Sequence, residues 1–309
     1  IGPTPCIPSF ALSTDERAIW MKLECLQPIG AFKIRGALNS VMQLDDAARN
    51  RGVVCASTGN HARALAYTGQ RLQVPVTVCM SSLVPRTKVD AVKALGAQVE
   101  IIGESQDEAQ VRVSQLVTEH GLTDIPPFDA LDTLTGQGTL MLEIESVMHQ
   151  LPDTIVVPVS GGGLISGIAA CAKALDPSIR VIGVSMQRGA AMASSLKAGH
   201  PVAVTEKPTL ADSLGGGIGL ENRYTFEITQ ALVDEVICLP ERAIAKAMRD
   251  CYHNERLVQE GAGATPYAIA TEYPELLGPS TLLILSGKNV DLRQFSLVMA
   301  GQLPFGDDL

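Results

Sequence analysis

Short apolar runs alternate with segments of helical period along almost the whole chain. The apolar runs predict strands at residues 19–24, 53–56, 74–80, 99–102, 154–159, 181–185, 236–239 and 281–285. The amphipathic stretches predict helices at residues 60–72, 86–95, 104–120, 133–151, 163–175 and 242–257. Apolar strands separated by such helices are typical of crossover units and of parallel sheets covered on both faces. The pattern therefore predicts an α/β fold.

The pattern is interrupted near residues 123–129, where Pro126 and Pro127 follow three strand–helix units. We expect two lobes, a small domain of residues 47–128 and a larger cofactor-binding domain of residues 1–46 and 129–309. A chain of 309 residues agrees with about two domains. Residues 186–234 are the least regular stretch.

Composition and charge narrow the class of protein. Hydrophobic residues make up 46% and charged residues 18%, as in globular proteins. The net charge of −9 disfavours a general nucleic-acid binder, because the chain would repel a phosphate backbone. The uncharged stretch 154–172 contains Pro158 and three successive glycines, so we expect a buried strand, loop and helix rather than a membrane span. The seven cysteines form no C-x-x-C pair and predict reduced core thiols, typical of a cytoplasmic protein.

A glycine loop, Ser160-Gly161-Gly162-Gly163-Leu164, lies between a predicted strand and a predicted helix. Glycines let backbone N–H groups form a concave nest, and a helix N-terminus adds positive potential, so the loop predicts a phosphate site. A dinucleotide is disfavoured, because Ser166 stands where the third glycine belongs and the next strand ends without an acidic residue. The alternative is a tight turn without a ligand.

Three more segments carry possible chemistry. Lys33 is flanked by apolar residues, and partial desolvation would favour the neutral amine that forms imines; alone, it is also typical of a surface lysine. The segment 57–61 opens a helix after a short strand, where free N–H groups suit a carboxylate, although N-capping explains it equally well. Ser286 follows an apolar strand, where parallel sheets bind ligands.

Together, and in this order along nearly the whole chain, the four segments resemble the fold-type II pyridoxal-phosphate enzymes, in the branch of threonine dehydratases and serine racemases. The resemblance implies two lobes like those of tryptophan synthase β, each a mostly parallel sheet covered by helices. It also implies pyridoxal 5'-phosphate as the cofactor. Lys33 would form the Schiff base with the cofactor aldehyde and act as the catalytic base, with Phe32 beside the ring and Asn60 on the phenolic oxygen.

The resemblance assigns the remaining contacts residue by residue. Ser286 would face the pyridine nitrogen. The phosphate would be bound by the backbone amides of Gly161, Gly162, Gly163 and Leu164. The substrate carboxylate would be bound by Ser57, Thr58, Gly59 and His61; taken alone, His61 is more typical of a structural histidine.

Some positions depart from the family pattern. Racemase-like members use a serine as acid/base where this chain has Thr58, and a β-branched hydroxyl is a poorer mobile proton donor. Some relatives bind a divalent ion after the strand that follows the glycine loop, but this chain has Ser185, Gly189 and Ala191 there, so we expect no metal site. The short tail after Ser286 predicts no regulatory domain.

The expected activity is a lyase reaction on a small amino-acid substrate. It converts a β-hydroxy amino acid of the threonine or serine type to a 2-oxo acid and ammonia by β-elimination. The glycine-rich segment 211–219 is similar to that of the hydroxyectoine-utilisation dehydratases, which makes a hydroxyectoine-derived amino acid an alternative substrate. The same segments are also compatible with a serine racemase, a β-replacement enzyme or a non-catalytic binder of a phosphorylated metabolite. By analogy of fold alone, we expect a homodimer or a larger homo-oligomer.

Overall fold

A computed structural model describes residues 1–148 and 150–305 and divides the chain into two compact units. The first unit contains residues 1–32 and the chain from Gly138 on, and the second contains Lys33–Gln137. The predicted small domain, 47–128, lies inside the second unit. The second unit extends beyond the predicted small domain at both ends. At its N-terminal end it includes helix α1 (Ile34–Met42), because α1 packs on helix α3 (Asn60–Leu72) of the same unit.

The described strands form two sheets. In chain order they are β1 (Cys6–Pro8), β2 (Ala18–Lys22), β3 (Val53–Ala56), β4 (Val76–Met80), β5 (Gln98–Ile101), β6 (Thr123–Asp124), β7 (Thr154–Pro158), β8 (Arg180–Met186), β9 (Glu235–Leu239) and β10 (Ser280–Ile284). The first unit holds a sheet in the order β1-β2-β10-β7-β8-β9. In this described sheet, β1 and β2 are antiparallel, and the other neighbouring strands are parallel. The second unit holds a parallel sheet in the order β5-β4-β3-β6.

Helices connect most of the strands. In chain order the described helices are α1 and then α2 (Asp46–Arg51), α3, α4 (Arg86–Lys93), α5 (Gln106–His120), α6 (Leu131–Val147), α7 (Gly163–Leu175), α8 (Ala191–Ala198), α9 (Thr225–Leu232), α10 (Glu241–Glu255), α11 (Gly261–Glu272) and α12 (Leu292–Met299). Among the described residues, each helix is either too short or too polar to cross a bilayer.

Both faces of the larger sheet are buried. On β7, Val156 belongs to one hydrophobic cluster, whereas its neighbours Ile155 and Val157 belong to another. Successive residues of a strand point to opposite faces, so helices cover the sheet on both sides. The predicted α/β fold with mostly parallel, covered sheets is confirmed. The seven cysteines are free thiols, and four of them are buried.

The predicted elements correspond to observed ones, with some differences. Residues 186–234, which the pattern presents as irregular, contain α8 and α9. The pattern does not predict β1 and β6, which are only three and two residues long. The predicted helix 133–151 corresponds to α6; its residue 149, like residues 306–309 of the predicted larger domain, lies outside the described residues.

Candidate active site

Lys33 occupies the N-cap position of α1, immediately before its first residue. Its backbone angles, φ −53° and ψ −22°, are already helical. Its side chain is partly buried, and its Nζ donates a hydrogen bond to the carbonyl oxygen of Pro127 at 2.6 Å. Burial lowers the pKa of the Lys33 amine to about 8. The neutral amine is the nucleophilic form, so Lys33 is chemically competent near neutral pH, where an ordinary lysine is almost fully protonated.

The segment 57–61 follows β3 and opens α3. All four residues of β3 are buried, so the segment begins at the carboxyl end of a central parallel strand. Gly59 is the N-cap of α3, and no side chain caps this helix end. The N-capping alternative is therefore not realised. Ser57, Thr58 and Asn60 are half-buried at this helix start, where backbone N–H groups favour an anion.

His61 occupies a buried position at the start of α3. Its Nε2 donates to the carbonyl oxygen of Ile125 at 2.7 Å, and its Nδ1 has no hydrogen-bond partner among the described residues. Burial, followed by the positive charge of Lys33, lowers the pKa of His61 to about 3. The ring is therefore neutral, and because Nε2 carries the proton, Nδ1 offers only a lone pair. This arrangement suits a structural role for His61 in positioning the segment 57–61. It suits a role as a donor to a carboxylate less well.

The glycine loop lies between β7 and α7 in the first unit. Gly162 is the N-cap of α7, with φ +88°, and no side chain caps this helix end. A Cβ on Gly162 would lie 2.7 Å from Cε of Met192 and 2.9 Å from Cβ of Thr225. Both the left-handed backbone and the close packing therefore require glycine. Leu164, the second residue of α7, is buried.

Ser286 follows β10 and is buried. Its carbonyl oxygen accepts a hydrogen bond from the backbone N–H of Phe32 at 3.0 Å, and Ala31 forms an antiparallel bridge with Gly287. Phe32 packs against one of the hydrophobic clusters of the first unit. The chain just before Lys33 is thus fixed to the end of β10.

The structure places the predicted residues in two groups, one in each unit. The first unit carries Phe32, the glycine loop and Ser286, and the second carries Lys33 and the segment 57–61. The glycine loop, Ser286 and the segment 57–61 each follow the carboxyl end of a parallel strand, which is where open α/β sheets bind ligands.

Glu260 is a residue of this region that the sequence pattern does not identify. Its buried carboxylate accepts hydrogen bonds from the Asn289 backbone N–H at 3.0 Å and from Ser213 Oγ at 3.2 Å. Its own N–H donates to the carbonyl oxygen of Gly287 at 3.1 Å. Glu260 therefore braces the turn that carries Ser286. The available sequence signal is an acidic residue directly before a Gly-Ala-Gly run.

Comparison with known proteins gives a consistent result. A family model described as "Pyridoxal-phosphate dependent enzyme" matches residues 1–287. The chain belongs to this family. A Sinorhizobium fredii protein named "Putative threonine dehydratase" is 50% identical over 284 residues, which are 91% of this chain and 85% of that protein. The L-threonine ammonia-lyase of Thermotoga maritima is 37% identical over 91% of this chain and 69% of its own length.

Solved structures agree with these relatives. Maize serine racemase superposes with a TM-score of 0.88 at 35% identity, over 96% of this chain and 92% of its own. The predicted membership of the fold-type II pyridoxal-phosphate enzymes, in the threonine dehydratase and serine racemase branch, is confirmed, as are the predicted cofactor and the enzyme class. Membership of the hydroxyectoine-utilisation subgroup stays a prediction.

Proposed function

We propose that this enzyme removes water and ammonia from a β-hydroxy amino acid of the threonine or serine type and releases a 2-oxo acid. The observation that carries the proposal is the Lys33 amine, whose pKa burial lowers to about 8 and which the Pro127 carbonyl oxygen orients. The names of the relatives from Sinorhizobium fredii and Thermotoga maritima support the same reaction.

The residues of the first unit fit pyridoxal 5'-phosphate. The start of α7 has no capping side chain, and Gly162 leaves no room for a Cβ, so the helix start presents backbone N–H groups to an anion. When bound, the cofactor supplies an aldehyde that forms an imine with Lys33 and a ring that withdraws electrons from the substrate Cα.

Lys33 is the residue that would remove the proton from the substrate Cα. Because its pKa is about 8, the Lys33 Nζ is partly neutral at pH 8, and in the neutral form it would take the proton from the substrate Cα. The carbonyl oxygen of Pro127 accepts from Nζ and so restricts the orientation of the amine. Ser286 would hold the ring nitrogen of the cofactor with a hydroxyl, and a neutral hydroxyl does not hold a proton there as a carboxylate would. This chemistry would favour loss of the β-hydroxyl.

The start of α3 binds and orients the substrate. Backbone N–H groups of the segment 57–60 hold the carboxylate, because no side chain caps this helix end. Asn60 would donate to the phenolic oxygen of the cofactor. Thr58 would supply the hydroxyl on the second face of Cα, and because its β-branch restricts rotation, we expect elimination to outpace racemisation.

Absorbance and product analysis test the proposal. The purified enzyme with pyridoxal 5'-phosphate should be yellow, form a borohydride-stable adduct and release 2-oxobutanoate from threonine. Lys33→Ala should lose the adduct and more than about 10³-fold of the turnover, since both nucleophile and base are removed. Lys197→Ala, at an exposed lysine, is the matched control. A reducible adduct in Lys33→Ala, or consumption of sulfide without free 2-oxo acid, would contradict the proposal.

Three further expectations stay predictions. They are a cytoplasmic location, self-association into a homodimer or larger homo-oligomer, and the lack of a nucleic-acid partner. Cell fractionation, sedimentation at working concentration and a nucleic-acid retention assay test them in turn.

A further inference from the structure

We propose that Thr133 is a positioning residue for Lys33, because its hydroxyl holds the segment whose carbonyl oxygen orients the reactive amine. The inference rests on the proposed function, in which Lys33 removes the proton from Cα, and adds a residue to it. All the residues that carry the inference belong to the second unit.

The diproline segment, residues 125–127, accepts a side-chain hydrogen bond at each of its three successive carbonyl oxygens. The donors come from the start of α3, the first turn of α6 and the N-cap of α1. In chain order, Ile125, Pro126 and Pro127 accept from His61 Nε2 at 2.7 Å, Thr133 Oγ1 at 3.2 Å and Lys33 Nζ at 2.6 Å. The segment therefore links the reactive amine to both α3 and α6.

The diproline segment is stiff and is attached through few groups. The Ile125 N–H donates to the carbonyl oxygen of Val54 on β3 at 2.9 Å, which fixes that end. Beyond it, Pro126 and Pro127 have no N–H, so their carbonyl oxygens are their only backbone hydrogen-bonding groups. Proline fixes its own φ and restricts the residue before it to extended conformations. The bond from Thr133 to Pro126 therefore controls where the neighbouring carbonyl oxygen of Pro127 lies.

The hydroxyl of Thr133 belongs to a chain of two hydrogen bonds with a defined direction. Thr133 is 1% exposed, and Oγ of Ser40 lies 3.1 Å from its Oγ1. A hydroxyl has one proton, and Thr133 donates its own to Pro126, so Ser40 donates to Thr133. Ser40 lies on α1, seven residues after Lys33 and on the same face of the helix. Helix α1 is thus bound to the diproline segment twice, directly through Lys33 and indirectly through Ser40 and Thr133.

Close packing of α1 on α6 fixes the position of Thr133. A Cβ on Gly36 of α1 would lie 2.9 Å from Cγ2 of Thr133. A Cβ on Gly136 of α6 would lie 2.7 Å from Cα of Gly36. Helices that pack this closely have little freedom to slide past each other. The Thr133 hydroxyl is therefore a fixed point against which the acceptor of the reactive amine is held.

The position of this acceptor matters while the Lys33 amine acts as a base. The amine is then not bound to the cofactor, and the carbonyl oxygen of Pro127 restricts its orientation. Misplacement of a reacting group by about 1 Å can slow a step about a hundredfold. The start of α3 keeps its own support, because His61 bonds to Ile125 at the end that β3 fixes. Loss of the Thr133 hydroxyl should therefore lower kcat more than it changes KM.

Steady-state kinetics of the holoenzyme with threonine test the inference. Thr133→Val keeps the branched side chain and removes the hydroxyl. It should lower kcat about tenfold to a hundredfold and change KM by less than about threefold. The deuterium isotope effect with threonine labelled at Cα should be at least as large as in wild type, because proton removal is the step that slows. Thr133→Ser keeps the donor and should restore most of kcat.

Thr281→Val is the matched control. Thr281 is also buried, and its hydroxyl also donates to a backbone carbonyl oxygen at 3.2 Å, that of Gly278. It lies near the amino end of β10, whereas Ser286 follows the carboxyl end. Both valine variants should lower the midpoint of thermal unfolding by similar amounts, since each removes one buried hydrogen bond. Thr281→Val should nevertheless keep the kcat of wild type.

Chemical labelling of the cofactor-free protein gives a readout that does not depend on turnover. Acetic anhydride at about pH 7 acetylates neutral amines, and peptide mass spectrometry gives the rate for Lys33 relative to the exposed Lys197. A displaced acceptor stabilises the charged amine less, so Thr133→Val should raise this relative rate severalfold. Thr281→Val should leave it unchanged.

Five results would overturn the inference. They are a wild-type kcat in Thr133→Val, an equal loss of kcat in Thr281→Val, no recovery in Thr133→Ser, an isotope effect in Thr133→Val smaller than that of wild type, and an unchanged relative labelling rate of Lys33. A wild-type enzyme that releases no 2-oxo acid would instead contradict the proposed function, and the labelling experiment would still test the position of the amine.

Discussion

Helices α3 and α7 begin in the same way and yet differ in what their first residues can do. Each has 13 residues, follows a fully buried parallel strand and starts after a glycine N-cap without a capping side chain. At α7 the N-cap Gly162 has φ +88°, and a Cβ added to it would overlap the side chains of Met192 and Thr225. At α3 the N-cap Gly59 has φ −123°, and an added Cβ would meet no atom within 4 Å.

The difference separates two kinds of anion site. At Gly162 the position of a Cβ is filled by Met192 and Thr225, which suits a phosphate that stays in place. Around Gly59 the backbone has open space, which suits a carboxylate that arrives and leaves in each cycle. Under the proposed function, the packing of the N-cap glycine would decide whether a strand, a glycine and a helix hold a permanent or an exchanging anion.

The largest effect is expected from Gly162→Ala. Left-handed strain together with overlap of Met192 and Thr225 should lower the free energy of unfolding by about 2–5 kcal/mol, measured by urea denaturation of the cofactor-free protein. Gly199→Ala is the control, because Gly199 has φ +80° but no atom within 4 Å of an added Cβ. It should cost only about 1–2 kcal/mol. Equal losses in the two variants would show that the overlap is relieved.

A smaller effect is expected from the pH dependence of His61, which ties the start of α3 to Ile125. The folded pKa, about 3, is below the ordinary value, so the unfolded chain binds more protons between about pH 3 and 6.5. Stability is lost as the pH falls through this window. In His61→Asn this component is absent, so the stability gap to wild type should shrink by about 2 kcal/mol from pH 7 to pH 5.

A second group, Asp124, also changes the stability of the protein at acid pH, and it does so in wild type and variant alike. Burial raises the pKa of Asp124 to about 6, so this group opposes the effect of His61 below that pH, in both proteins alike. His120→Asn, at a side chain 60% exposed, should leave the pH profile of wild type unchanged. A gap between wild type and His61→Asn that stays constant with pH would mean that the imidazole is not buried in its neutral form.

The smallest change in stability is expected from Gly59→Ala. With open space at the Cβ position, the free energy of unfolding should change by no more than about 0.5 kcal/mol. The methyl group would, however, narrow the approach of the carboxylate to the backbone amides, and we expect KM for threonine to rise about tenfold. Steady-state kinetics and urea denaturation check the two halves separately. A destabilised Gly59→Ala variant with unchanged KM would mean that Gly59, like Gly162, is required for packing and not for access of the carboxylate.

The sequence predicts most of the fold where local signals agree with packing. The predicted bounds of β3, α3 and α7 coincide with the observed ones, because a buried apolar strand and a glycine-marked helix start leave little freedom. Helix α11 is not predicted, since it begins Gly-Ala-Gly, contains Pro266 and is buried on nearly every side, so it has no amphipathic period. Strands β1 and β6 are too short to show alternation.

The candidate site is predictable as a set of segments but not as a set of contacts. Spacing marks the amine, the glycine loop and the helix start, because these chemistries depend on local backbone. The tautomer of His61 and the bracing by Glu260 depend on residues distant in sequence, which no local pattern reveals.

The hydrogen bond between Lys33 and Pro127 has a consequence for how the enzyme tolerates mutation. The acceptor is a peptide carbonyl, 94 positions away, and every amino acid carries one. Exchanging the side chain at 127 therefore cannot delete the acceptor, and only a change in the path of the chain removes it. The orientation of the reactive nitrogen is thus buffered against point substitution and vulnerable to insertions or deletions near the Pro-Pro pair.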